Sequence, residues 1–233
     1  MLRLFIAGNL PAYVLLMFVA SIVVALTFHE FAHGFAAYLL GDRTAKHDGR
    51  LSFNPVKHID PIGMMLLLVA GFGWAKPVMV NPYNLKNPKQ DMAFISIAGP
   101  VANFIMAFVA LLTVQALLTF AASPAVIRAI YSGATGNEGA MYFLIRFLIQ
   151  LCSLNIGLGL FNLIPIPPLD GSKFFGFFLP DHLYFRLINF RHGFLLLIAL
   201  VFSGAIEFIV GPVFDAVFSG MAFVVTHIVS VFV

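Results

Sequence analysis

Between residues 11 and 40 the chain is almost unbroken apolar sequence, yet inside that run stands His29-Glu30-Phe31-Ala32-His33. No other feature limits the fold as strongly. About 20 apolar residues cross a bilayer as a helix, so this run can span a membrane and still tilt or protrude. Only Ser21, Thr27 and the His–Glu cluster interrupt it, and Gly41-Asp42 ends it. Ionisable groups inside a span are costly, on the order of 2.5–3.5 kcal/mol each for Asp, Lys or Arg. Three ionisable side chains so close together therefore require a compensating partner.

The rest of the chain agrees with a membrane setting. Of 233 residues, 61% are hydrophobic and 10% charged, with a mean hydropathy of +0.99. A soluble domain of this length cannot hide so much apolar surface. Disorder, a secreted disulfide scaffold and a nucleic-acid-binding domain are excluded. The net charge of +3 reflects Lys and Arg gathered in a few loops, as the positive-inside rule expects. A single cysteine, Cys152, rules out an internal disulfide and a Cys-rich metal site. The first ten residues and the run after them lack the order of features of a removable signal.

Along the chain, residues 41–60 form a polar loop carrying Arg43, Lys46, Arg50 and Lys57. The stretch 61–74 is apolar but short, with Gly63, Gly71 and Gly73, and at that length it reads as a re-entrant or interfacial segment. Residues 75–81 alternate between prolines and read as an extended, edge-like piece. Long apolar runs follow at 91–122, with Gly99-Pro100 inside, and at 140–164, closed by Pro165, Pro167 and Pro168. Between those runs, 123–139 reads as a turn-rich loop with Pro124, Gly133, Gly136 and Gly139. A loop with Lys173, Arg186 and Arg191 comes next, and two further spans fit between 193 and 233, separated near Gly211-Pro212. The expected fold is an all-α polytopic bundle of five to six transmembrane helices with a re-entrant or extended segment after the first. It forms one membrane-embedded domain over 1–233, with a core at 11–175 and a C-terminal helical pair at 191–233. If the first run goes from outside to inside and 61–74 re-enters, nearly all Lys and Arg fall on the cytoplasmic side. Arg3 and Arg128 then lie in outside segments, and Arg146 lies within a helix.

His29 and His33 are four apart, so on a helix their imidazoles share one face, one turn apart. Two imidazoles so placed can reach one zinc ion, and the carboxylate of Glu30 stands close enough to take a proton from water. The same cluster would also suit a water-filled cavity or a proton relay. A catalytic zinc usually has three protein ligands, and Asp170 is the best candidate for the third. It follows Asn162-Leu163-Ile164-Pro165-Ile166-Pro167-Pro168-Leu169, whose prolines stop the helix and could turn a carboxylate into the bundle. Gly171 permits a tight turn after it. A helix cap or turn residue is the other reading of Asp170.

HEFAH on an early span, AGPVAN at 98–103 on a later one and FNLIPIPPLDG at 161–171 on the next resemble the site-2 protease family of intramembrane zinc metalloproteases (peptidase family M50). The order and spacing of the three elements match, from the first span to about residue 175. The resemblance implies a compact, core-only member of prokaryotic type, with no stretch long enough for the PDZ or CBS domains of some members. It implies one zinc per chain on His29, His33 and Asp170, with Glu30 as general base. It also implies a catalytic role for Asn162, whose amide would hold substrate or the developing oxyanion. An interhelix hydrogen bond is the alternative for Asn162.

Other residues are expected to serve structure. Asn103 reads as helix packing and interhelix hydrogen bonding, and Gly99-Pro100 as a bend or local opening. His58 and Asp60 read as a solvated loop, with a cytoplasmic pair near the site as the alternative, and His47, His182, His192 and His227 as loop or interface histidines. Glu207 and Asp215 read as solvated at an outer turn, and Trp74 as an interfacial anchor. The implied partners are transmembrane protein or peptide substrates and the lipid bilayer, with no nucleic acid. Multi-pass insertion in the cell membrane is expected, with the site toward the cytoplasm. Two rival classes are an inactive scaffold of the same family and a metal-ion or proton transporter.

Overall fold

The computed structural model describes residues 11–70, 73–132 and 139–233. Arg3, Gly71, Gly133 and Gly136 lie outside the described residues. In chain order the helices are α1 (Ala12–Leu39), α2 (Thr44–His47), α3 (Pro61–Ala70), α4 (Pro88–Phe120), α5 (Pro124–Ser132), α6 (Ala140–Asn162), α7 (Asp170–Gly176), α8 (Asp181–Ile188), α9 (Gly193–Phe202) and α10 (Ala205–Ser230). The described residues contain no β-strand. The protein is an all-α polytopic membrane protein. Helices α1, α4, α6 and α10 are long and apolar enough to cross a membrane, and a fifth span results if the bent pair α8–α9, at 65°, counts as one. The count is therefore four to five. The sequence suggested five to six, but α9 has only 10 residues, about 15 Å of helix.

Helix α4 is central and packs on α1, α6, α7 and α10. Its small residues Ala107 and Ala110 let Leu151, Cys152 and Ile156 of α6 and Val225 of α10 close over it. In lipid there is no hydrophobic drive between helices, so close approach through small residues is what holds such a bundle. Large apolar side chains such as Leu16, Ile105, Val109, Phe208 and Phe223 remain exposed. On a soluble protein they would be a liability, whereas here they meet lipid.

The segment 61–74 returns to where it starts. The Lys76 N–H donates to the His58 carbonyl at 2.9 Å, so both ends of the segment meet. Helix α3, with 10 residues, covers about half of a ~30 Å hydrocarbon core. The next stretch, 73–80, is extended but pairs with no strand. Its far end is held by Asp42, a fully buried carboxylate that accepts from the Asn81 N–H (2.7 Å), the Asn84 amide (2.7 Å) and both the N–H and hydroxyl of Thr44. Burial opposes ionisation of Asp42, but these donors outweigh it and lower its pKa. A third tie, Lys89 to Asp181 at 2.8 Å, brings α8 to the same end of the bundle.

Several sequence expectations need correction. Residues 124–132 are helix rather than turn-rich loop, and the loop after Pro168 contains α7 and α8. The last two helices separate at Ser203-Gly204, where Gly204 has φ +76°, a conformation that glycine adopts without steric cost. Helix α10 runs unbroken through Pro212, so Glu207 and Asp215 are exposed positions on a helix, not at an outer turn. Helix α4 likewise continues through Pro100 with no opened turn. His58 is fully buried, with Nε2 2.7 Å from the Ser52 carbonyl, and Asp60 caps α3 by accepting from the Gly63 N–H. His47, His182 and His227 lie on α2, α8 and α10 and not in loops, His192 directly precedes α9, and all four are exposed.

These ties predict a topology. Reporters inserted in 41–60, 75–87 and 177–192 should read one side of the membrane, the cytoplasmic side by the positive-inside rule. A reporter at Ser123 should read the other. Opposite readings for 41–60 and 75–87 would show that α3 crosses the membrane.

Candidate metal centre

The HEFAH turn of α1 faces α4, and both histidines are buried there. The ring Nδ1–H of His29 donates to the Asn103 side-chain oxygen at 2.7 Å, and that of His33 to the Ile95 carbonyl at 2.7 Å. A carbonyl can only accept, so each neutral ring carries its proton on Nδ1 and presents a bare Nε2. The orientation of Asn103 is itself set. Asn155 donates to the Leu151 carbonyl at 2.8 Å, which turns its oxygen toward the Asn103 amide, also at 2.8 Å. This relay of amides, buried at both Asn103 and Asn155, links α6 to α4 and α1.

The two Nε2 atoms lie 3.0 Å apart, and Asp170 Oδ2 lies 3.2 Å from that of His29 and 3.0 Å from that of His33. In a tetrahedral zinc site with bonds of about 2.0–2.1 Å, ligand atoms stand about 3.3 Å apart. The donor set and its spacing thus fit a single zinc, and His29, His33 and Asp170 together could hold a metal ion. Lone pairs converging this closely would repel one another without a cation or proton between them.

Asp170 reaches this point because α6 stops at Asn162, the proline-rich turn reverses the chain, and α7 begins at Asp170. Gly171 lies in the first turn of α7 with no positive φ. It does not make the tight turn expected. Instead, a side chain there would collide with the Leu163 and Ile164 carbonyls. Gly99 has a similar duty, since a Cβ there would lie 2.5 Å from His33 Nε2 and 2.6 Å from His29 Cε1. The glycine makes room for the rings and does not open the helix.

Glu30 is buried beside the histidines, and its Oε2 accepts from the Val78 N–H at 2.9 Å. The extended segment therefore lies directly over the carboxylate. All four side chains line one cavity of about 600 Å³, together with Asn162 and Trp74. Asn162 donates to the Leu158 carbonyl of its own helix at 3.0 Å, so it makes no interhelix bond there. Trp74 forms part of this cavity wall and of an adjoining apolar pocket, a more specific place than an interfacial anchor. Sequence reasoning gave Asn103 helix packing and interhelix hydrogen bonding, and the structure adds that one of those bonds goes to His29 and another to Asn155. The spacing of four between Asn103 and Gly99 was the available signal, since it puts both on one face of α4. Asn155 and Asp42 carried no such signal.

The sequence resembles known proteins over most of its length. The sequence profile of peptidase family M50 matches residues 17–200. The Bacillus subtilis (strain 168) protein named "Putative zinc metalloprotease YwhC" is 36% identical over 85% of this chain and 85% of its own length. Proteins named "Putative zinc metalloprotease Rip2" from Mycolicibacterium smegmatis and Mycobacterium tuberculosis (strain H37Rv) are 28% and 29% identical over 68% and 69% of the chain. The matches cover 55% and 56% of their lengths. No solved structure matches. The chain belongs to peptidase family M50.

Three substitutions at two positions probe the support of the site. Gly99→Ala forces both imidazoles to move, and zinc in the purified protein should fall from about one per chain toward none. Asn103→Ala leaves His29 Nδ1 without its acceptor and should weaken zinc about 10- to 100-fold in chelator competition. Asn103→Asp, which can still accept that proton, should hold zinc at least as well as the wild type. Equal zinc retention in all three would remove the supporting roles assigned to Gly99 and Asn103.

Proposed function

We propose that this member of family M50 is an intramembrane zinc metalloprotease that hydrolyses peptide bonds within or near transmembrane segments of other proteins. One observation carries the reading: three ligand atoms converge beside the Glu30 carboxylate, which is not one of them, inside an apolar bundle. His29, His33 and Asp170 would hold one zinc per chain. Bound there, zinc would supply Lewis acidity, polarising a carbonyl and bringing the pKa of water to about 7.

The chain's own residues do the remaining work. Glu30 takes a proton from the attacking water and returns it to the leaving nitrogen. The Val78 N–H keeps that carboxylate aimed into the cavity. A substrate helix hides its backbone in its own hydrogen bonds, so it must unwind before cleavage. The stretch 73–80, which belongs to no helix or strand, can add the unwound substrate as a strand beside it. Asn162 lines the cavity and serves as a donor to the substrate or to developing negative charge. The adjoining apolar pocket of about 340 Å³, walled by Phe18, Ile22, Leu67, Leu154 and Val201, is suited to the intact part of a substrate helix. The protein acts as one membrane-embedded unit in the cell membrane, with catalysis in 11–175, the helices of 191–233 packed beside it, and the site toward the cytoplasm.

Glu30→Gln separates the enzyme from its rivals. The amide keeps size and polarity but cannot take a proton. Zinc content and thermal stability in detergent should hold, while cleavage of a transmembrane peptide should fall about 10²- to 10⁴-fold. Ion flux lost without proteolysis in either form would indicate a transporter. Absence of both ion flux and cleavage, with zinc-loaded wild type tested across a broad peptide panel, would leave a scaffold.

A further inference from the structure

The wall of the metal cavity includes one lysine, Lys173, three residues after Asp170 on α7. The same side chain borders two other cavities. One, of about 390 Å³, contains Lys89, whose charge is answered by Asp181 at 2.8 Å. The other, of about 330 Å³, lies between the proline turn and the α8–α9 corner and is bordered by Arg191. Neither Lys173 nor Arg191 has an ion pair with a carboxylate among the described residues. The two acids in the metal cavity are already engaged, Glu30 by Val78 and Asp170 by the histidines. Lys173 is half-buried beside largely apolar walls, where an unpaired cation is poorly solvated and an incoming anion is strongly favoured.

We infer that Lys173, with Arg191 behind it, selects transmembrane substrates whose flank next to the scissile bond carries carboxylates. The inference rests on the protease reading and names its substrate class. Most transmembrane segments carry Lys and Arg on their cytoplasmic flank. Lys173 in the metal cavity and Arg191 in the neighbouring one that Lys173 also borders repel such a flank and attract an acidic one, so they discriminate where apolar contacts cannot.

The test measures binding and cleavage separately. Labelled transmembrane peptides with Asp-Asp, Asn-Asn or Lys-Lys flanks are titrated onto the zinc-loaded full chain carrying Glu30→Gln, in zwitterionic nanodiscs. The Asp-flanked peptide should bind about tenfold more tightly than the Asn-flanked one. Lys173→Gln should remove most of that advantage, and Lys173→Glu should reverse it in favour of the Lys-flanked peptide. Arg191→Glu, at an exposed position with little bearing on folding, should weaken the preference about threefold. Equal binding of the three peptides, or a preference untouched by these changes, overturns the inference. So does tight retention of phosphatidylglycerol that disappears with Lys173→Glu while peptide preference stays, which would assign the cations to lipid. Cleavage by the wild type is scored in parallel. Selective binding without cleavage would strike the protease reading and leave the acidic-flank selectivity standing.

Discussion

Everything else in the structure depends on the mutual approach of two imidazole nitrogens and one carboxylate oxygen to about 3 Å. Lone pairs so close repel, and burial removes the water that would screen them. Such a cluster is stable only with a cation among its members or a proton shared by them, and a helix turn inside an apolar bundle offers no other compensation. The surrounding architecture holds these lone pairs in place. Asn103 and the Ile95 carbonyl keep the protons on the outer ring nitrogens, and Gly99 lets α4 come close enough to supply both contacts. Asn155 then aligns Asn103 from the far side. Each of these groups is polar or absent where the rest of the helix is apolar, because each answers to the same small volume.

The second constraint comes from the chain segment that covers the site. Residues 73–80 belong to no helix or strand. Three polar contacts anchor them: Lys76 to the His58 carbonyl, Val78 to Glu30, and Asn81 to Asp42. The middle contact joins this segment to the carboxylate proposed to do the chemistry. Any strand that adds to the segment therefore arrives within reach of Glu30. The nearby helix α3 has 10 residues, about half the length needed to cross a hydrocarbon core of ~30 Å.

The long helices were legible because their signal is local. An apolar run of sufficient length must be helical in lipid, where every backbone group needs a partner within its own segment. The HEFAH spacing was legible for the same reason, since i and i+4 share a face whatever surrounds them. Prolines were less reliable guides. Pro100 and Pro212 sit inside continuous helices, while the break near the C-terminus falls at Gly204. A proline removes one hydrogen bond and a bundle can absorb that loss, but a residue at positive φ must leave the helix. The short helices α5, α7 and α8 were hidden in polar, turn-rich sequence, where propensity is weak and packing decides.

By itself the sequence determined a polytopic helical bundle, two histidines and a glutamate on one helical face, and a distant Asp-Gly after a proline turn as the natural third contributor. Those follow from hydropathy, from the 3.6-residue period and from the chemistry of the side chains. Only the tertiary structure decided that Asp170 arrives within about 3 Å of both rings, that Gly99 is space for imidazoles and not a hinge, and that Asn103 sets the protonation of His29. It also decided that His58 is buried and that Lys173 faces the metal cavity with no carboxylate partner among the described residues. These are contacts between residues roughly 60 to 140 positions apart, or matters of what fills the space around one group. No local period encodes them, because they arise only when separate helices pack and each side chain must share its volume with partners from elsewhere in the chain.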